Sequence, residues 1–399
     1  MKIITNNKSI LKFLITLRIT LLLTLPQQKH FVNLIQVFMM DGFRGKTNNI
    51  AELCHIKVHR TSIGHYLNES PWSDDLVKQT YNRYVLEEIQ RLSKATLQPV
   101  YVVADDTVSE KTRPSSKAKN PTQKCVFVYS HLKKKTVYGH QFVGIMLECA
   151  GKQFPYYLEM YDKEKQSKIN MVIEVIKNLP LMPSKVFVMA DSWYSSNKLI
   201  KLCKKKGFYY IGGFKTNRLI YPKGKRMGFK ISEYAKTLTT SDVHLVKVGN
   251  RKFWVHRYEG RLNNLSKSLI LLCWPEDALF NEKTLHAFIS TIELSDKEIL
   301  TTYSQRWTIE VFFRTCKMQF KLNKYQIRSE IGIKRFMLLL SLSYVFCSCF
   351  VESSNSNITI GGNRLEARKE ISRCLVDKIY SMANSGVCIK DAYDKLNIA

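Results

Sequence analysis

Four residues late in the chain, Tyr303, Arg306, Glu310 and Lys317, constrain its folding more than any other feature. At ~100° of turn per residue their offsets fall within about 60° of arc, so on a helix a tyrosine, two cations and a carboxylate form one polar stripe. Ile309, Val311, Phe312, Phe313 and Phe320 occupy the other faces. A helix with such apolar surroundings is buried in a domain, its polar stripe opening onto a charged site. Ser295 and Glu298 have the spacing of a capping box and mark its expected N-terminus. Ion-pair ladders on helices are commonplace, so the stripe alone does not define a site.

Two apolar runs supply further acids. Residues 98–107 read as a strand ending in Asp105 and Asp106, and residues 185–191 as a second buried strand ending in Asp191. An aspartate at a strand end is often only a turn former. Carboxylates from two strand ends and a helix are, however, the hard oxygen ligands that a two-metal phosphoryl-transfer site needs for Mg²⁺ or Mn²⁺.

On these residues the chain resembles the bacterial insertion-sequence transposases of the DDE class, in the branch whose signature is Tyr, two residues, Arg, three residues, Glu, six residues, Lys. Tyr303, Arg306, Glu310 and Lys317 meet every spacing, Asp105-Asp106-Thr107 matches the first acid's Asp-x-Thr/Ser motif, and Asp191 matches the second acid. The likeness spans roughly residues 20–350. It implies a ribonuclease H-like α/β core with a mixed sheet. It also implies that Asp105, Asp191 and Glu310 hold two Mg²⁺ or Mn²⁺ ions, with Asp106 as the alternative to Asp105. Tyr303, Arg306 and Lys317 would then bind DNA phosphates near the cut. The implied activity is metal-dependent cleavage of the ends of a mobile DNA element, followed by joining to target DNA by transesterification without ATP. Members of the family often proceed through a DNA hairpin, and two subunits commonly pair two double-stranded ends, so a homodimer on DNA is expected. A catalytically silent or repurposed DNA-binding protein, or a structure-specific nuclease on the same core, would share much of this pattern.

Composition agrees. Sixty-two lysines and arginines against 33 acids give a net charge of +29, which attracts polyanions without choosing among DNA, RNA and an anionic membrane. Ten cysteines with no Cys-x-x-Cys pair read as reduced thiols, with no zinc site. A cytoplasmic protein, nucleoid-associated when bound to DNA, is therefore expected. The apolar run at residues 13–25 resembles a leader, but Arg18 interrupts it and no small-residue cleavage site follows, so export is not expected. A second run, Phe336 to Val351, is shorter than the ~20 residues a spanning helix needs and reads as a core helix behind the catalytic one, with no membrane partner. Gly45, Lys46 and Thr47 lack the first glycine and the leading strand of a phosphate-binding loop, so no nucleotide cofactor is expected.

At 399 residues more than one unit is expected. Residues 1–95 read as a helical DNA-binding region in which a helix-turn-helix-like pair, joined by residues 55–58, presents Arg60, Thr61, Ser62 and His65. Residues 96–215 and 291–351 form the two parts of the core. Strands are expected at 98–104, 125–131, 137–147, 185–190 and 208–214, with a helix over 168–178. The 119 positions between Asp191 and Glu310 exceed one strand and one crossover helix, so residues 216–290 read as an all-β insertion with a hairpin turn at Gly249-Asn250. Its cations interleave with Tyr221, Phe229, Trp254 and Tyr258, a mixture suited to phosphates and bases, although Trp254 and Tyr258 read equally as hairpin core. Residues 352–399 read as a flexible link and a helical tail.

Overall fold

The regular structure described in the first 96 residues is all helical. Helices α1 (Lys8–Thr16), α2 (Leu25–Met39), α3 (Thr47–Leu53), α4 (Arg60–Asn68) and α5 (Asp74–Thr96) follow one another, in a computed structural model that describes residues 8–55, 58–130, 133–224, 226–262, 265–350 and 359–396. The leader-like run supplies core: Phe13, Leu14, Leu17 and Ile19 are buried, and the Phe13 ring lies 4.8 Å from that of Phe350. Within the link expected between α3 and α4, residues 56–57 lie outside the described residues.

The core sheet is built from β1 (Val100–Glu110), β2 (Val126–Ser130), β3 (Lys135–Cys149), β4 (Lys152–Met160), β5 (Val186–Ala190) and β6 (Tyr209–Phe214). Helices α6 (Lys168–Asn178) and α7 (Asn197–Lys205) make the crossovers on either side of β5. Each is started by a serine whose hydroxyl accepts a backbone N–H of the first turn, Ser167 from Asn170 and Ser196 from Leu199. As link lengths demand, β1 and β2 pair antiparallel with β3, while β5 runs parallel to β1 and β6.

The expected all-β insertion is corrected in two ways. It contains β7 (Leu219–Tyr221), β8 (Phe229–Lys230), the short helix α8 (Ile231–Ala235), β9 (His244–Val248), β10 (Arg251–Leu262), β11 (Leu265–Pro275) and β12 (His286–Ser290). Its strands also continue the core sheet, because β12 pairs with β6, giving the order β2-β3-β1-β5-β6-β12-β11-β10-β7-β8 with β4 on β3 and β9 on β10. Gly249 turns the β9–β10 hairpin with φ of 58°; Tyr258 is buried there and Trp254 half-buried.

The single helix expected around the Tyr-Arg-Glu-Lys stripe is two helices, α9 (Asp296–Ser304) and α10 (Trp307–Met318). The Ser295–Glu298 capping box starts the first. Between them the chain tightens: Gln305, Arg306 and Thr308 each donate to the carbonyl three residues back, at 3.0 to 3.1 Å. Beyond α10, α11 (Glu330–Val345) continues as a π turn to Phe350. This 21-residue stretch is long and apolar enough to cross a membrane, with mean hydropathy 1.5, but 72% of its apolar window is buried in the protein. Tyr344 meets Phe312 of α10 edge-on at 4.9 Å, so α11 packs behind α10. Helices α12 (Ile360–Asn384) and α13 (Ile389–Leu396) follow.

Candidate active site

The pleat of β1 decides where the doubled aspartate points. The strand does not end at Asp105 and Asp106, as its apolar run suggested, but continues to Glu110 along β3. What ends there is the neighbour: β5 stops at Ala190, opposite Ala104, and leaves Asp105 beside an open edge. Successive side chains of a strand take opposite faces, so Asp105 and Asp106 part company.

Asp105 faces α10. Its Oδ2 accepts from Arg306 Nη1 at 2.9 Å, and the other end of the same guanidinium pairs with Glu310. Burial pushes the Asp105 carboxyl up to about 7, against the opposing pull of Arg306, and Asp191 and Asp106 raise it further by repulsion. Burial disfavours the charge of Arg306, but Tyr303, Asp105 and Glu310 outweigh it and hold the guanidinium firmly protonated. Tyr303, in the last turn of α9, lies with its ring 5.7 Å from the guanidinium. Lys317 is carried in the last turn of α10, about 10 Å of helix rise beyond Glu310, where burial lowers its pKa.

Asp191 sits at the first position after β5. Its Oδ1 accepts the backbone N–H groups of Trp193 at 2.8 Å and Tyr194 at 3.2 Å, a local turn that fixes the carboxylate. Beside it opens a groove of about 550 Å³, lined by Lys215, Thr216, Asn217, Phe288 and Tyr303 among others.

Asp106 faces α6 instead. It receives Lys168 Nζ at 2.9 Å, the Tyr194 hydroxyl at 2.8 Å and the Gln141 amide. Tyr194 is fully buried, and burial together with Asp106 keeps its hydroxyl a donor. Asp106 thus ties β1 to the turn that carries Asp191.

Sequence reasoning missed Lys168, Tyr194, Gln141 and two glycines. Gly144 lies opposite Asp105 across β3, and a Cβ there would stand 2.7 Å from the Phe313 ring of α10. Gly213 of β6 is as confined: its Cβ would meet the Ser192 nitrogen at 2.9 Å and the Tyr303 hydroxyl at 3.2 Å. A glycine inside a buried strand signals close approach, and that signal was available. The tyrosine and lysine gave none, being three residues from one acid and sixty-two from the other.

Among the described residues, no three His, Cys, Asp or Glu side chains are drawn close enough to hold a metal ion. Arg306 takes the position between Asp105 and Glu310. The donors themselves suit a hard divalent ion, being carboxylates whose buried member carries uncompensated desolvation.

Residues 86–346 match the model of the transposase DDE domain. That span covers well over half of the chain, which therefore belongs to the DDE transposase domain family, a class of DNA-processing enzymes. No curated protein matches the chain by sequence. Among solved structures it is similar to a piggyBac transposase, determined by cryo-electron microscopy as a synaptic complex with hairpin DNA, with TM-score 0.52 and 10% identity over 94% of this chain and 76% of that one. The likeness is one of fold: a ribonuclease H-like, mixed α/β architecture around a large mixed sheet.

Proposed function

We propose that the protein is the transposase of a bacterial insertion sequence, which binds the ends of its own element, cleaves them and joins them to target DNA. The observation that carries this reading is the meeting of Asp105 from β1 and Glu310 from α10 on one guanidinium, beside Asp191 at the end of β5. Asp105, Asp191 and Glu310 would hold Mg²⁺ or Mn²⁺, and Asp106, already committed to three donors, would not. When bound, such ions supply the positive charge that stabilises the attacking and leaving oxygens of phosphodiester exchange.

The chain's own residues do the rest. Arg306 is paired to two of the three acids, and a guanidinium freed from them would offer a bidentate grip on phosphate. Tyr303 and Lys317 extend that grip along the strand to be cut. Arg60, Thr61, Ser62 and His65 are exposed on α4, consistent with a role in holding element ends. The resemblance to a transposase solved in a synaptic complex supports two copies acting on two ends.

The test is cleavage and joining of a labelled duplex carrying the element's end, with Mg²⁺ or Mn²⁺, by wild type and Glu310→Ala. Cutting and joining that vanish in the variant are expected, and the products also read whether a hairpin forms. Cleavage without joining would mark a nuclease, and tight end binding without cleavage a DNA-binding remnant.

A further inference from the structure

The far edge of the sheet carries a feature that the acids do not explain. Strand β2 is the terminal strand, paired among the described residues with the start of β3 alone. Phe127 and Tyr129, two positions apart and so on one face, are 59% and 53% exposed. Tyr138, opposite Phe127, completes the face, the two rings meeting edge-on at 5.4 Å. The other face is ordinary core, with Val137 buried. Large exposed rings on an edge strand invite aggregation unless something covers them.

Charge says what covers them. Residues 111–135 hold eight lysines and arginines and no acid. Some are committed: Lys111 turns inward to the carbonyls of Asn323 and Tyr325, Lys124 pairs with Asp162, and Lys133 with Glu110. Arg113, Lys117, Lys119, Lys134 and Lys135 are exposed, and the Arg113 guanidinium lies 5.5 Å from the Phe127 ring. Cations around ring faces on an open sheet are how proteins hold single-stranded nucleic acid, phosphates on the charges and bases on the rings.

The patch lies on the side of the sheet toward which β1 runs from the acids. Glu110, five residues beyond Asp105, pairs with Gly139, which in turn pairs with Val126 of β2. At ~3.3 Å per residue along β1 and ~4.8 Å for each of the two strand spacings across to β2, the patch begins roughly 19 Å from Asp105, a few nucleotides of strand. We propose that the outer face of the β2–β3 hairpin is a second DNA-binding surface, which takes unpaired strand leading away from the cut, with Phe127 and Tyr129 stacking on bases and Arg113, Lys134 and Lys135 on phosphates. The identity of the polyanion rests on the transposase reading; the surface itself does not.

The experiment is fluorescence anisotropy of the full chain in EDTA, so that no catalysis is needed, with a labelled element-end duplex either blunt or bearing a short single-stranded tail. Phe127→Ala/Tyr129→Ala should weaken the tailed duplex by about tenfold and leave the blunt one within about twofold, with the salt dependence unchanged. Lys134→Gln/Lys135→Gln should weaken both and flatten the log–log salt slope by roughly 1 to 2. Unchanged affinity for the tailed duplex in the ring variant would overturn the proposal. So would a ring variant that abolishes self-association, read by light scattering, without touching DNA affinity, since the face would then be a protein interface. Wild type that cleaves and joins while its variants bind normally would sink the patch alone, whereas wild type that binds no DNA would sink both readings.

Discussion

The two faces of β1 treat adjacent aspartates in opposite ways. On the α10 face, Asp105 is buried against a guanidinium shared with Glu310 and the backbone N–H of Asp106, and its carboxyl is pushed up to about 7 by desolvation that these partners do not cancel. On the α6 face, Asp106 is closed in by an ammonium, a phenol and an amide. Burial is similar, the side chains being 19% and 17% exposed, so the contrast comes from the partners. A carboxylate with three fixed donors is a structural tie; one sharing a single cation with another acid is poised to exchange it. Neighbours in sequence thus meet two different sets of partners because a strand alternates its faces.

The sharpest way to break this comparison is to neutralise each acid in turn. Asp105→Asn should cut metal-dependent cleavage on the order of 10³-fold or more, the rate equivalent of several kcal/mol, whereas Asp106→Asn should lose about 10- to 100-fold. Equal losses in a single-turnover assay would contradict the separation of roles. Gly144→Ala comes next. The new Cβ presses Phe313 and lifts α10 from β3, so a destabilisation of about 1–3 kcal/mol is expected in urea titrations, together with slower cleavage. Unaltered stability would mean that α10 is seated by other contacts.

Tyr194→Phe tests the α6 face more gently. Removing only the hydroxyl loosens the tie between Asp106 and the Asp191 turn, and should raise the Mn²⁺ concentration for half-maximal cleavage by about tenfold while the saturated rate changes little. A fall in melting temperature with an unchanged Mn²⁺ requirement would leave the tie purely structural. The smallest effect concerns Lys111, which holds the loop after α10 through the Asn323 and Tyr325 carbonyls. Burial pushes its ammonium from the ordinary 10.5 down to about 7. Between those values the unfolded chain keeps the proton and the native one does not. Stability from this group therefore rises over that window and is lost as pH falls through about 7. Lys111→Met should accordingly gain melting temperature relative to wild type most at about pH 6 and least at about pH 10; a pH-independent difference would refute the assignment.

Much of this arrangement was legible in the sequence where local rules carry it. The five expected core strands and the 168–178 helix follow from apolar runs and serine caps, and the pairing directions follow from link lengths. Strand β4 escaped because Pro155 interrupts its pattern; among the described residues it pairs with β3 alone, and the proline sits where the register shifts between Ile145 and Met146. The break between α9 and α10 carries no proline or glycine, so nothing local announced it. The doubled aspartate stayed ambiguous because alternation separates faces without saying which face meets which helix. The Asp106 network joins residues 106, 141, 168 and 194, and such long-range closure is invisible to a spacing argument.

The most direct measurement is metal-selective rescue of paired cysteine variants. Asp105→Cys and Asp106→Cys would be assayed for cleavage of an element-end duplex in Mg²⁺ and in Mn²⁺, since a thiolate ligand accepts the softer ion better. The expected result is that Asp105→Cys is inactive in Mg²⁺ and recovers in Mn²⁺, while Asp106→Cys shows the same partial activity in both. Recovery by Mn²⁺ in Asp106→Cys, with Asp105→Cys inactive in either ion, would place the ligand on the other face of β1 and contradict the account.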